Sequence, residues 1–256
     1  MQSGFVEAAG HNLEYRLIPA HQVNRPTLVF LHEGLGSVAM WRDFPAKVAA
    51  ATGCQTLVYS RYGYGESDVL TESFSVRYMH DEALVALPEL LDKLGIDKPV
   101  LIGHSDGGSI ALIHAGGAGR AVAGLILMAP HVFVEDISVA SIAQAKVTFE
   151  TTDLAQKLGK YHRDPAKTFR GWNDIWLHPD FRAWNIEEVL PHVTCPVLAI
   201  QGEDDEYGTP AQVEAIRRQA KGEVEVLMLA DCRHSPHKDQ PQATLEAMAG
   251  FIERIS

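Results

Sequence analysis

Leu13-Glu-Tyr-Arg-Leu-Ile18 alternates apolar and polar residues with a period of two, the mark of a strand buried on one face. The pattern predicts that it pairs with Phe5 to Glu7 across a turn at Gly10-His-Asn12. Thr27-Leu-Val-Phe-Leu31 and Gln55-Thr-Leu-Val-Tyr59 are compact apolar runs, which predict parallel strands covered on both faces. Further strands are predicted at Lys98 to Ile102, Val122 to Met128, Pro196 to Ile200 and Val224 to Leu229. Between them, Trp41 to Ala51, Ala211 to Ala220 and Gln242 to Ile255 read as helices. Ser75 to Leu94 reads as a longer one, with Val76, Leu84, Leu87, Leu91 and Leu94 at helical spacing, a kink at Pro88 and an end at Gly95. Strand and helix alternate, so the expected fold is a mostly parallel sheet with helices on both faces.

One stretch breaks this rhythm. From Phe133 to about Leu190 no strand is predicted, yet the segment carries Phe149, Tyr161, Phe169, Trp172, Trp176, Phe181 and Trp184. A long insertion this aromatic is not disordered. It predicts a helical cap over one end of the sheet, with most of its aromatic rings packing the cap onto the core. The expected organisation is therefore a core over 1–132, a helical cap over 133–190, and the rest of the core over 191–256.

The chemistry is concentrated at Gly103-His-Ser-Asp-Gly107, a G-x-S-x-G turn between an apolar strand and a helix of small residues. A serine hydroxyl is a poor nucleophile unless it is held beside a base and near donors for an oxyanion. A sharp strand-to-helix turn does this for Ser105. Acidic residues follow the Pro196 strand in Gln201-Gly-Glu-Asp-Asp-Glu-Tyr-Gly208, and imidazoles follow the next in Ala230-Asp-Cys-Arg-His-Ser-Pro-His237. Both segments fall at the carboxyl edge of a parallel sheet, where such proteins build their sites. Pro236 near a helix start leaves His234 in the preceding loop, free to reach Ser105, and makes His237 the competitor. Asp231, His234 and His237 are spaced like metal ligands, but Pro236 argues against the helix that would align them, so no metal is expected. One oxyanion donor should be the N–H of Asp106, and the other should lie in the loop after the Thr27 strand.

With Leu31-His-Glu-Gly-Leu-Gly-Ser37 and Tyr59-Ser-Arg-Tyr-Gly-Tyr-Gly-Glu-Ser67 added, the chain resembles the α/β-hydrolase fold family over essentially its full length. The resemblance implies an eight-stranded, mostly parallel sheet with a helical cap, and a nucleophile, acid and histidine in the order Ser105, Asp205, His234. Asp205 stands three residues after Gly202, with Asp204 as the second choice, and His234 precedes a residue and a proline as the family's histidine does. The second oxyanion donor would be Gly34 or Leu35; Glu33 stands where many members have glycine. The elbow Gly-His-Ser-Asp-Gly-Gly is similar to that of the valacyclovir hydrolase (biphenyl hydrolase-like) branch, whose aspartate after the serine receives the amino group of aminoacyl esters. Asp106 therefore has two open readings, a cation site or a carboxylate that holds the elbow's shape. Glu33, Asp106, His131, Trp172 and Trp176 are the expected substrate-binding residues.

Composition narrows the partners. The 256 residues carry a net charge of −11, which disfavours nucleic acid. No apolar run approaches the length of a membrane span. Cys54, Cys195 and Cys232 are scattered and odd in number, unlike a disulfide framework. The start has neither a basic nor an apolar leader segment, so a cytoplasmic location is expected. The expected function is a cofactor-free serine hydrolase acting on a small carboxylic ester, aminoacyl or other cationic esters included, with water as co-substrate. A carbon–carbon bond hydrolase of a ring-cleavage product and a non-catalytic small-molecule receptor are the alternatives.

Overall fold

The computed structural model describes residues 2–256; Met1, the first residue of the expected core, lies outside them. Eight strands form one sheet: β1 (Gln2–Ala8), β2 (His11–Ile18), β3 (Leu28–Leu31), β4 (Thr56–Tyr59), β5 (Val100–His104), β6 (Gly124–Met128), β7 (Val197–Gly202) and β8 (Val224–Leu229). Their order is β1-β2-β4-β3-β5-β6-β7-β8. β1 and β2 form the expected hairpin, and β2 runs antiparallel to β4; every other pairing is parallel. The hairpin turn is tighter than the sequence suggests. Ala8 pairs directly with His11, and the two residues between them, Ala9 and Gly10, both have positive φ (51° and 79°), as a two-residue turn matched to strand twist requires.

The central strands are apolar throughout because successive residues face opposite layers. Val29, Leu31, Leu101, Leu125 and Leu127 pack on one side, with α2 (78–93) and α3 (Asp106–Gly117). Leu28, Phe30, Ile102, Ile126 and Met128 pack on the other, against α1 (Phe44–Thr52) and the last helix (Pro241–Ile255). Residues 133–190 add no strand to the sheet, only an isolated bridge between Phe133 and Asn185. They form α4 (Asp136–Thr151), α5 (Leu154–Leu158), α6 (Pro165–Trp176) and two short 3₁₀ turns. Asp164 caps α6 by accepting from the Lys167 N–H at 3.0 Å, and Pro165 occupies the first turn, where no N–H is needed. Among the described residues no helix is long and apolar enough to cross a membrane.

The expected kink at Pro88 takes a specific form. Ahead of it the helix widens by one residue over Glu82–Ala86, and the Leu87 N–H reaches back to the Glu82 carbonyl. The Ala83 carbonyl then has no helical donor, since Leu87 is engaged and Pro88 has no N–H. Buried His114 on α3 lies with Nδ1 at 2.8 Å from that carbonyl and donates to it. Burial lowers the His114 pKa, so the ring is neutral. The helix ends where Gly95 predicts: Gly95 N–H bonds Asp92 O at 3.1 Å and Ile96 N–H bonds Leu91 O at 2.9 Å, with Gly95 at φ 67°. His114→Leu keeps most of the volume but orphans the buried carbonyl, and should cost about 1–3 kcal/mol. Pro88→Ala, which restores an N–H, should reduce that loss; urea midpoints of the single and double variants measure the coupling, and equal shifts in both backgrounds would refute it.

Candidate active site

β5 leads directly into Ser105, which sits at φ 53° and ψ −119°, a conformation a side-chain-bearing residue adopts only when its surroundings enforce it. The enforcement is steric and local. A Cβ on Gly103 would collide with the Gly107 carbonyl, and one on Gly107 would collide with the Leu31 carbonyl of the neighbouring strand. The chain can therefore turn from strand into α3 in a single residue, lifting the serine off the sheet. Ser105 N–H is fixed to Met128 O at 2.9 Å, and the Ser105 carbonyl accepts from the Gly108 and Ser109 N–H groups at 2.8 and 3.1 Å.

Three side chains from three strand ends then line up. His234 Nε2 lies 2.9 Å from Ser105 Oγ, and His234 Nδ1 lies 2.8 Å from Asp205 Oδ1. Asp205 is buried after β7 and also accepts from the Tyr207 N–H at 2.8 Å, the Gly208 N–H at 3.2 Å and Gln201 Nε2 at 3.3 Å. Burial would raise its pKa, but the hydrogen bond and charge of His234 and these donors hold it below the ordinary value. Asp204 is exposed. Pro236 opens a short helix, Pro236–Asp239, so His234 stays in the loop ahead of it. His237 lies inside that helix, its ring packed among Trp41, Phe44 and His104. The unassigned His104 of the elbow donates from Nε2 to the His234 carbonyl at 2.7 Å and so anchors the histidine loop. Among the described residues no group of three or more His, Cys, Asp or Glu side chains is arranged to hold a metal; Asp231, His234 and His237 form no such cluster.

Ser105 and His234 open into a cavity of about 210 Å³, walled in part by Trp172, Trp176 and Ile142 from the cap. Larger clefts of about 450 and 400 Å³ flank the Leu70–Phe74 loop, but neither Ser105 nor His234 lines them. Gly34, Leu35 and Asp106 also line the cavity that Ser105 and His234 open into. Asp106 is the first residue of α3, where an N–H has no helical acceptor and the helix dipole favours negative charge. Gly34 and Leu35 lie in a turn closed by Gly36 N–H to Glu33 O at 3.0 Å, and neither N–H meets an acceptor among the described residues. Trp172 packs directly on Gly34, where a Cβ would collide with the indole.

The electrostatics differ from the cationic-substrate expectation. Asp106 is fully buried, accepts from Tyr78 Oη at 2.8 Å and Trp176 Nε1 at 3.3 Å, and has Arg61 at 3.9 Å. Burial raises its pKa, with Arg61 and these donors opposing. Glu33 has Lys238 Nζ and His104 Nδ1 each at 3.5 Å. Burial pushes Glu33 up, but Lys238 and His104 outweigh it and hold the carboxyl well below the usual range. The third acid at the cavity, Glu206, pairs with Arg233 at 3.1 Å and accepts the His234 N–H at 3.2 Å. Every carboxylate on the cavity wall thus has a cation of its own. His131 is not a cation either: burial and the neighbouring His234 push its pKa down to about 3.

The sequence reading missed Arg61, Tyr78, His104 and Glu206. Arg61 is buried, stacks over Tyr64 at 4.8 Å and donates to Glu33 O at 3.0 Å. Its place two residues past the end of β4 is the same carboxyl-edge signal that marked Asp205. Tyr78 had no such signal, since it lies in a helix and meets Asp106 only through the fold.

The family model for the alpha/beta hydrolase family matches residues 28–247. The chain is 24% identical over 297 residues to a proline iminopeptidase of Saccharolobus solfataricus, covering 100% of this chain and 93% of that one. A proline iminopeptidase of Lactobacillus delbrueckii subsp. lactis matches more locally, at 30% over 100 residues, 39% of this chain and 34% of its own length. Among solved structures, a carboxylesterase of the thaumarchaeon Nitrososphaera gargenis aligns with a TM-score of 0.79 at 17% identity, over 98% of each chain, which speaks to fold alone. The matched span runs from β3 into the last helix and includes Ser105, Asp205 and His234, so the chain belongs to the alpha/beta hydrolase family.

Proposed function

We propose that the protein is a serine hydrolase that cleaves a small, uncharged carboxylic ester through an acyl-enzyme. The observation that carries this is the continuous hydrogen-bonded line from Ser105 Oγ through His234 to Asp205, at 2.9 and 2.8 Å, ending at a strained serine on a cavity wall. His234 Nε2 takes the Ser105 proton as Oγ attacks the ester carbonyl carbon. Asp205 holds the Nδ1–H tautomer and stabilises the imidazolium that forms. The carbonyl oxygen, now negative, is received by the Asp106 N–H and by the N–H of Gly34 or Leu35. The intermediate collapses, His234 returns the proton to the departing alkoxide, and water repeats the cycle to release the acid.

The small cavity and the tryptophan walls favour a compact acyl group, with Trp172 and Trp176 shaping specificity. The paired carboxylates favour a neutral substrate over the aminoacyl ester suggested by the elbow's likeness to the valacyclovir hydrolase branch. Proline iminopeptidase relatives keep an amino-terminal substrate as the outcome that would displace this reading.

Ser105→Ala should lower ester turnover on the order of 10⁴-fold or more, leave the melting temperature near that of the unsubstituted protein, and abolish labelling by a fluorophosphonate probe. Labelling that persists would remove Ser105 from the mechanism. His234→Ala should be as severe, whereas His237→Ala should cost less than about tenfold in kcat, its loss coming from packing alone. A His237 variant more damaging than the His234 variant would reverse the assignment. For substrate charge, kcat/KM on an aminoacyl ester should lie within about threefold of that on the isosteric ester lacking the amine, since an ammonium given a free carboxylate would gain roughly 1.5–3 kcal/mol. A preference of tenfold or more for the amine, lost in Asp106→Asn, would instead favour an aminoacyl substrate. Turnover of a dienone diketo acid in preference to every ester would favour carbon–carbon bond hydrolysis.

A further inference from the structure

The loop that carries the candidate second oxyanion donor is gripped from two sides. On the core side, the Glu33 carbonyl accepts from His32 Nδ1 at 2.7 Å, Arg61 Nη2 at 3.0 Å and the Gly36 N–H at 3.0 Å. On the cap side, the Leu35 carbonyl lies 2.9 Å from His162 Nε2, and His162 is buried in the turn between α5 and α6. Its other nitrogen, Nδ1, accepts the Gly65 N–H at 2.9 Å. Because Gly65 can only donate, Nδ1 carries no proton, so the neutral ring has its proton on Nε2 and donates it to Leu35. The same stretch of cap is tied again by Arg163 N–H to Gly65 O at 3.0 Å and by Thr168 Oγ1 to Gly63 O at 2.7 Å.

Three consecutive peptide planes are at stake. The Glu33–Gly34 plane is pinned by the core, and the Leu35–Gly36 plane is held at its N–H by Glu33 O and at its carbonyl by His162. The plane between them carries the Leu35 N–H, and its orientation follows from its two neighbours. Glycines at 34 and 36 would otherwise let these planes rotate. We infer that His162 is a positioning residue: a cap histidine that sets the oxyanion loop through the Leu35 carbonyl, so that seating of the cap assembles the donor side of the active site. This rests on the serine hydrolase reading, and it gives the cap a part in the chemical step as well as in forming the pocket roof.

Two substitutions in the full chain separate the two hydrogen bonds. In His162→Asn the side-chain oxygen stands near the position of Nδ1 and can keep the Gly65 bond, but the side chain is too short to reach Leu35. In His162→Gln the terminal amide reaches the position of Nε2 and can donate to Leu35. The Asn variant should lose about 10- to 100-fold in kcat with KM within about threefold, a partial form of the 10²–10³ lost with an oxyanion donor. The Gln variant should stay within about fivefold of the parent in kcat. Hydrogen exchange over residues 33–37 gives a readout independent of turnover, faster in the Asn variant and unchanged in the Gln variant. Unchanged exchange and kcat in the Asn variant, equal kcat losses in both variants, or a rise in KM alone would overturn the inference. If the parent protein neither takes up fluorophosphonate nor turns over any ester, the hydrolase reading fails instead, while the exchange measurement still decides whether His162 holds the loop.

Discussion

The site depends on one close approach of backbone to backbone. The turn at Ser105 exists because Gly103 and Gly107 let β5, α3 and the end of β3 come within contact of one another without side chains between them. That crowding fixes a positive φ on a residue that would otherwise avoid it. The same turn starts α3 at Asp106, directly after the serine, so the proposed nucleophile and the proposed oxyanion donor arise from one turn. A helix that began one residue later would separate them. The strain is held by the buried sheet on either side, where Leu31, Gly103 and Met128 are locked into register.

A second layer of interactions holds the residues around that turn. Arg61 has the widest reach: it touches the oxyanion loop through Glu33 O, the His32 ring through Nε, and the Asp106 carboxylate. An unpaired buried carboxylate at Asp106 would be costly, and Arg61, Tyr78 and Trp176 together offset part of that cost. Charge neutrality of the cavity follows. The acids that make the wall look suited to a cation in the sequence are each matched by a base brought in from a distant segment.

The cap is stitched to the same machinery. Ser138 and Ser141 of α4 donate to the carbonyls of Tyr207 and Glu206 at 2.5 Å each, directly beside Asp205. Glu135 accepts from the Thr209 N–H and hydroxyl at 2.9 and 2.6 Å. With His162 on the oxyanion loop and Trp172 on Gly34, the insertion contacts both the acid loop and the donor loop.

The strands, their parallel character and the order of Ser105, Asp205 and His234 were all legible in the sequence. Each rests on a local rule: continuous apolar runs bury both faces, glycines flank a tight turn, and Pro236 starts a helix and leaves His234 before it. The wide turn before Pro88 was only half legible, since the proline announces a disturbance but not that His114 from another helix would serve the freed carbonyl. The electrostatic state of the site was only partly legible: a carboxylate that holds the elbow's shape was one of two readings for Asp106, but its partners could not be read. Asp106 and Glu33 look alike as open carboxylates in the chain, and their character was decided by Arg61 and Lys238, which lie 45 and 205 residues away in sequence. His162 stands in an unremarkable Tyr-His-Arg stretch, and its role depends on carbonyls and N–H groups that only the folded cap brings within 2.9 Å. Local sequence determined the backbone path to the serine, because steric and hydrophobic preferences act over a few residues. Tertiary structure alone decided the charges and donors around it, because Coulomb and hydrogen-bond partners are chosen by distance in space.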